Sequence, residues 1–192
     1  IFSVLRLEDG GTREEAILQA GTKQVAAGYV LYGSSTVLVL TTGNGVDMFV
    51  LDQAIGSFVL VSKNIAIPTG NKTYSTNEAY TDRYSENIQG YLQWAHKNEY
   101  SSRYIGSMVA DVHRILLSGG SFLYPPTTDK PDGKLRLMYE ANPMAMIIEQ
   151  AGGKAVAHGK RILDIVPTGL HQRTSVILGS SDQVDAILEH TK

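Results

Sequence analysis

The chain changes texture at Ile67-Pro68-Thr69-Gly70, and that change limits the folds open to it. Before it, runs rich in Val, Leu, Tyr and Phe follow one another at hairpin spacing. After it, longer periodic segments alternate with short apolar runs, the pattern of a layered α/β unit. The spacing predicts strands over residues 25–32, 36–41, 46–51 and 57–61, joined as an antiparallel meander. Gly43-Asn44-Gly45 is the clearest turn among them, because Asn and Gly accept the positive φ of tight hairpins. The polar run over residues 8–15 reads as an exposed loop. Two domains follow: an antiparallel sheet over residues 1–67 and an α/β domain over residues 70–192.

Within the second domain, helix start and stop signals set the elements. Ser85 is a candidate cap for a helix to about residue 97, and Ser107 for another through residue 117, closed by Gly119-Gly120. In Asn142-Pro143 the Asn side chain can accept from the first turn, and Pro has a suitable φ and no amide to leave unpaired, so a helix is predicted from there to about residue 151. Asp182 is expected to cap a last helix, and the apolar runs 122–124, 135–139 and 175–178 supply strands between the helices.

Composition narrows the function classes. Hydrophobic residues make up 43% and charged residues 19% of 192 residues, a globular balance. Seventeen Lys and Arg against nineteen Asp and Glu leave a net charge of -2 with no basic run, so nucleic acid is not an expected partner. There is no cysteine, which excludes disulfide frameworks and zinc-thiolate sites. No apolar stretch approaches the ~20 residues that span a bilayer, so no membrane association is expected and the cytoplasm is the default location. The chain starts without Met, at Ile1-Phe2-Ser3-Val4-Leu5-Arg6-Leu7, which reads as the middle of a strand and implies a missing upstream part.

Generic catalytic motifs fit poorly. Gly152-Gly153-Lys154 lacks the other elements of a phosphate-cradling loop and reads as a helix stop. The histidines at 96, 113, 158, 171 and 190 show no i, i+4 pairing for zinc. Ser107 lacks a nucleophile elbow and is accounted for by capping.

Five ordered runs carry a more specific signal: Tyr74-Ser75-Thr76-Asn77-Glu78; Ser102-Arg103-Tyr104-Ile105-Gly106-Ser107-Met108-Val109-Ala110-Asp111-Val112-His113-Arg114; Phe122-Leu123-Tyr124-Pro125; Asp132-Gly133-Lys134-Leu135-Arg136-Leu137-Met138-Tyr139-Glu140 with Asn142-Pro143-Met144-Ala145; and His171-Gln172-Arg173. Together they resemble the type I fructose-1,6-bisphosphatase family, and the front segment resembles it through Ile1-Phe2-Ser3-Val4 and Val25-Ala26-Ala27-Gly28-Tyr29-Val30. The resemblance implies the α/β sugar phosphatase fold, layered α/β/α/β/α. Residues 1–67 would then end an N-terminal metal and allosteric domain, and residues 70–192 would form the sugar-phosphate-binding domain.

It also implies roles. Asn77, Tyr80, Tyr104, Tyr124 and Lys134 would hold the 6-phosphate of fructose 1,6-bisphosphate, Arg103 would reach it from a neighbouring subunit of a homotetramer, and the Met108 backbone would touch sugar hydroxyls. Such donors suit a phosphate, which offers only acceptors. Taken singly, each Tyr would read as a half-buried core aromatic; it is the five donors in family-like runs that favour the phosphate role. Glu140 would ligate a catalytic Mg²⁺, with Mn²⁺ as a substitute, and Arg136 would assist at the reacting 1-phosphate; outside the family, Glu140 would be accounted for by charge compensation at a helix start. The metal would activate the attacking water. The family's Asp-Pro-Leu-Asp-Gly-Ser-Ser-Asn metal motif is absent from this sequence, so the chain is expected to be inactive alone. Two alternatives remain, a sedoheptulose-1,7-bisphosphatase activity and a non-catalytic sugar-phosphate-binding fragment.

Overall fold

Five strands pair in chain order in the first part of the chain. They are β1 (Phe2–Leu5), β2 (Gln24–Tyr32), β3 (Thr36–Thr41), β4 (Asp47–Asp52) and β5 (Ser57–Ser62), and every pairing is antiparallel. The computed structural model describes residues 1–7 and 13–191. The loop expected over residues 8–15 therefore lies mostly outside the described residues, and its end belongs to a short helix, α1 (Arg13–Ile17). The Gly43-Asn44-Gly45 turn forms as expected: Thr41 Oγ1 donates to Gly45 O at 2.6 Å and accepts from Gly43 N at 3.1 Å.

Side chains alternate across a strand, so the register divides this sheet into two faces. Ala27, Tyr29 and Val39 are buried on one face. On the other, Val30, Leu38, Phe49 and Leu60 lie in register across four strands, forming a second apolar row.

The second sheet draws on distant segments: β6 (Thr73–Ser75), β7 (Ser101–Ser102), β8 (Ser121–Tyr124), β10 (Lys154–Ala157), β11 (Lys160–Arg161) and β13 (Val176–Gly179), ordered β11-β10-β13-β8-β6-β7. Strands β7, β6 and β8 run parallel to one another, and the remaining pairings are antiparallel. A separate ribbon pairs β9 (Leu135–Arg136) with β12 (Arg173–Thr174).

Four longer helices complete the layers: α2 (Glu86–Lys97), α3 (Met108–Ser118), α4 (Asn142–Gln150) and α5 (Ser181–His190). Helices α3 and α4 lie between the two sheets, while α2 and α5 cover the far face of the second. Their sequences explain the placement. Met144, Ala145, Met146, Ile147 and Ile148 are all buried, as an apolar surface all round a helix requires. One contact ties the meander to α3: Tyr29 Oη lies 2.9 Å from His113 Nδ1, with the rings edge to face. Among the described residues no helix is long and apolar enough to cross a membrane.

Four local expectations are corrected. Residues 135–139 do not form one strand, because pairing stops at Arg136 and Leu137–Ala141 form a π turn closed by Asn142 N to Leu137 O. A proline ring crowds the carbonyl four residues back and donates no bond, so widening the turn ahead of Pro143 relieves both defects. Asn142 is consequently a buried helical residue rather than a cap. Ser107 sits at the N-cap of α3 but makes no side-chain cap bond, and the cap position of α5 is Ser180. Asp182 instead accepts from Gly70 N at 2.9 Å, joining α5 to the Pro68-Thr69-Gly70 segment. Helix α2 does start as expected, with Ser85 Oγ accepting from Ile88 N.

Candidate functional site

Parallel pairing puts the carboxyl ends of β6, β7 and β8 side by side, and each delivers residues singled out above. Asn77 follows β6, Arg103 and Tyr104 follow β7, and Tyr124 ends β8. Ligands in α/β sheets characteristically bind at this end of the strands. Asn77 opens the 3₁₀ turn Glu78–Arg83 by accepting from Ala79 N at 3.2 Å, and its carbonyl accepts from Tyr84 Oη at 2.8 Å. The turn carries Tyr80 over to the ribbon, where Lys134 Nζ lies 4.2 Å from the Tyr80 ring centroid. The Arg83 guanidinium lies 5.3 Å from the same centroid.

The phenols form a cluster. Burial, followed by the nearby Tyr124, Asp111, Tyr84 and Tyr80, pushes the Tyr104 hydroxyl above its ordinary range. Tyr84 is raised in the same way, first by burial. Both therefore stay protonated at neutral pH and can donate.

Beside the cluster lies a cavity of about 600 Å³ lined by Ile1, Tyr124, Lys134, Leu135, Arg136, Tyr139, Glu140 and Arg173. Its three cations face a single carboxylate, a balance that attracts anions. The ribbon fixes this wall: Arg136 pairs with Arg173, and Arg173 Nη1 donates to Lys134 O at 3.1 Å. Arg136 Nε also donates to Tyr139 Oη at 3.2 Å, and that hydroxyl lies 2.9 Å from His171 Nδ1.

Glu140 turns back within the π turn, so that its Oε2 accepts from Arg136 N at 2.7 Å. As a metal ligand it has one further oxygen to offer. Mg²⁺ takes six oxygens in near-octahedral geometry, and no three His, Cys, Asp or Glu side chains gather as a metal site among the described residues. These residues do not by themselves make a site for a divalent ion.

Most of the expected residues are thus brought together: Asn77, Tyr80, Tyr104, Tyr124 and Lys134 around the phenol cluster, and Arg136 and Glu140 in the adjoining cavity. Two stand apart. Arg103 is exposed with no side-chain hydrogen bond or ion pair among the described residues, and Met108 begins α3 packed against the core. The sequence reading missed Tyr84, Arg83, Tyr139 and Arg173. The spacing Tyr80-Thr81-Asp82-Arg83-Tyr84 offered a signal for the first two, since one turn presents its ends together.

A second polar knot lies under the start of this region. Tyr74 Oη and Ser102 Oγ donate to Glu78 Oε1 at 2.8 and 2.7 Å, and His96 Nε2 lies 3.2 Å from Glu78 Oε2. Partial burial raises the Glu78 carboxyl, but the Ser102 and Tyr74 bonds and the nearby His96 outweigh it and hold it below the ordinary range.

Comparison with known proteins gives a consistent result. A family model described as "Fructose-1-6-bisphosphatase, C-terminal domain" matches residues 67–192, and one described as "Fructose-1-6-bisphosphatase, N-terminal domain" matches residues 1–63. A fructose-1,6-bisphosphatase class 1 from Synechococcus sp. (strain JA-2-3B'a(2-13)) is 53% identical over 98% of this chain, and one from Chlorobium chlorochromatii (strain CaD3) is 52% identical over 96%. The chain spans 58% of the length of each of these relatives. The crystal structure of Leishmania major fructose-1,6-bisphosphatase in holo form superposes with a TM-score of 0.94 at 46% identity, covering 99% of this chain and 62% of that one. In its T-state the same enzyme superposes with a TM-score of 0.95 at 47% identity, covering 98% of this chain and 62% of that one. On these matches, which together run almost end to end, the chain belongs to the fructose-1,6-bisphosphatase family.

Proposed function

We propose that this chain supplies the sugar-phosphate-holding part of a fructose-1,6-bisphosphatase, which hydrolyses fructose 1,6-bisphosphate to fructose 6-phosphate and phosphate. The observation that carries the reading is the delivery of Asn77, Tyr104 and Tyr124 by the ends of three adjacent parallel strands, next to Lys134. An amide, two phenols and an ammonium offer donors to a group made only of acceptors, and the ammonium adds charge-assisted pairing. Tyr80 stacks against Lys134 and limits where its charge can go. In this reading the 6-phosphate lies among these donors, the Met108 backbone borders the sugar, and the 1-phosphate points into the cavity toward Arg136 and Glu140. Arg103, exposed and without a side-chain partner among the described residues, serves the pocket of a neighbouring copy in a homo-oligomer, with a tetramer as the expected assembly. Glu140 gives one oxygen to Mg²⁺ or Mn²⁺, and the other ligands come from outside the described residues.

Calorimetric titration with fructose 6-phosphate tests the binding half of the proposal. Binding at one site per chain is expected, and Lys134→Ala should weaken it roughly tenfold or more, since a hydrogen bond to a charged group contributes about 1.5–3 kcal/mol. An unchanged Kd would remove Lys134 from the site. In the assembled enzyme, Arg103→Ala should raise KM for the bisphosphate more than it lowers kcat, because it contacts a phosphate that does not react.

A further inference from the structure

The loop from Arg103 to Ser107 is exposed, Ile105 is 61% accessible, and Ser107 caps nothing. It is nonetheless held from beneath. Asp111, fully buried in α3, accepts from Ile105 N with both oxygens at 3.2 Å and from Gly106 N at 3.3 Å. Ser75 Oγ lies 2.9 Å from Asp111 Oδ1. Arg114 Nη1 donates to the same oxygen at 3.2 Å, and its Nη2 reaches Ser75 Oγ and, at 3.1 Å, Arg103 O. One ion pair, with its carboxylate fully buried and its guanidinium partly exposed, thus binds the amides of Ile105 and Gly106 and the carbonyl of Arg103 to the end of β6.

We propose that Asp111 and Arg114 are positioning residues for the sugar phosphate: they touch no substrate, but they fix the backbone that presents Arg103 and Tyr104. The inference rests on the binding role given to that loop above. An ion pair whose carboxylate is buried adds little net stability, because desolvation of the buried charge offsets the Coulombic attraction. What this pair does add is geometry, since the planar Arg114 fork bridges a carboxylate and a main-chain carbonyl in one orientation. Holding a donor to a phosphate demands placement to a fraction of an ångström, which an exposed five-residue loop does not supply alone. Ser75 contributes from the strand that also leads to Asn77, so both arms of the proposed site refer to one anchor.

The test is a double-mutant cycle on the Kd for fructose 6-phosphate, with melting temperature followed in parallel. Arg114→Gln and Asp111→Asn should each weaken binding roughly tenfold in the wild-type background. In an Arg103→Ala/Tyr104→Phe background the same substitutions should change Kd less than about twofold, because the groups they position are gone. Equal losses in both backgrounds, or a wild-type Kd in the single variants, would overturn the proposal. If Asp111→Asn does not fold, Arg114→Gln, at a partly exposed site, and Ser75→Ala carry the cycle with the same expectations. If Arg103→Ala/Tyr104→Phe itself binds like wild type, the loop is not part of the site, and the failure belongs to the functional reading that the proposal stands on.

Discussion

At the scale of single residues, His113 ties acid sensitivity to the fold. Burial pushes its pKa below the ordinary 6.5, and Nδ1 faces the hydroxyl of buried Tyr29. A histidine lowered on folding binds its proton more readily when unfolded. Its contribution to stability is therefore complete above about pH 6.5, falls as pH drops from there toward the lowered native value, and levels off below it. Thermal melts between pH 7.5 and 5.5 should show this loss, and His113→Leu should flatten that part of the profile. Tyr29→Phe should cost about 1 kcal/mol, the worth of one hydrogen bond, measurable by urea denaturation. Tyr104 and Lys134 could be singled out in the sequence as candidate donors because they stand in runs that resemble those of the family. The Asp111–Arg114 pair stood in the same run without being recognisable as a network, because its meaning depends on Ser75 and on amides that only the fold brings near.

At the scale of elements, α4 and the ribbon differ in how openly the sequence declares them. Asn142-Pro143 ahead of the run Met144-Ala145-Met146-Ile147-Ile148 and Gly152-Gly153 behind it announce a helix, which the structure buries between layers, and Ile147→Ala should cost about 2–5 kcal/mol by leaving a cavity there. The meander strands likewise follow from β-rich runs and short turns. The ribbon of β9 and β12 was hidden, because Arg136 finds Arg173 only after the chain has built α4, β10 and β11. The π turn was hidden as well, being a compromise between Pro143 and packing that no periodicity reports. Gly133 marks where the ribbon is tightest: its φ is +89°, and a Cβ would stand 2.4 Å from the Thr174 carbonyl. Gly133→Ala should therefore displace Lys134 as well as destabilise the protein, lowering both melting temperature and fructose 6-phosphate affinity. A variant with lowered stability and wild-type affinity would show that the ribbon does not place Lys134.

At the scale of the whole molecule, two sheets enclose α3 and α4, and the first sheet carries apolar side chains on both faces. Its outer row ends on the edge strand β5, where Phe58 and Leu60 are 41% and 47% accessible. An exposed apolar edge is prone to association, so Leu60→Lys should reduce concentration-dependent light scattering without lowering the melting temperature. The change from a meander to α/β layers was legible from the texture change at Ile67-Pro68-Thr69-Gly70, and the run 122–124 announced β8, but the parallel trio β7-β6-β8 was not legible, since β6 and β7 are only three and two residues long. That trio is what would let residues far apart in sequence form one phosphate-holding site. Crystals grown with fructose 6-phosphate test it most directly. Its phosphate should lie within about 3 Å of the Tyr104 and Tyr124 hydroxyls and Lys134 Nζ; a phosphate bound elsewhere, with those donors still facing one another across an empty cluster, would show that they form no such site.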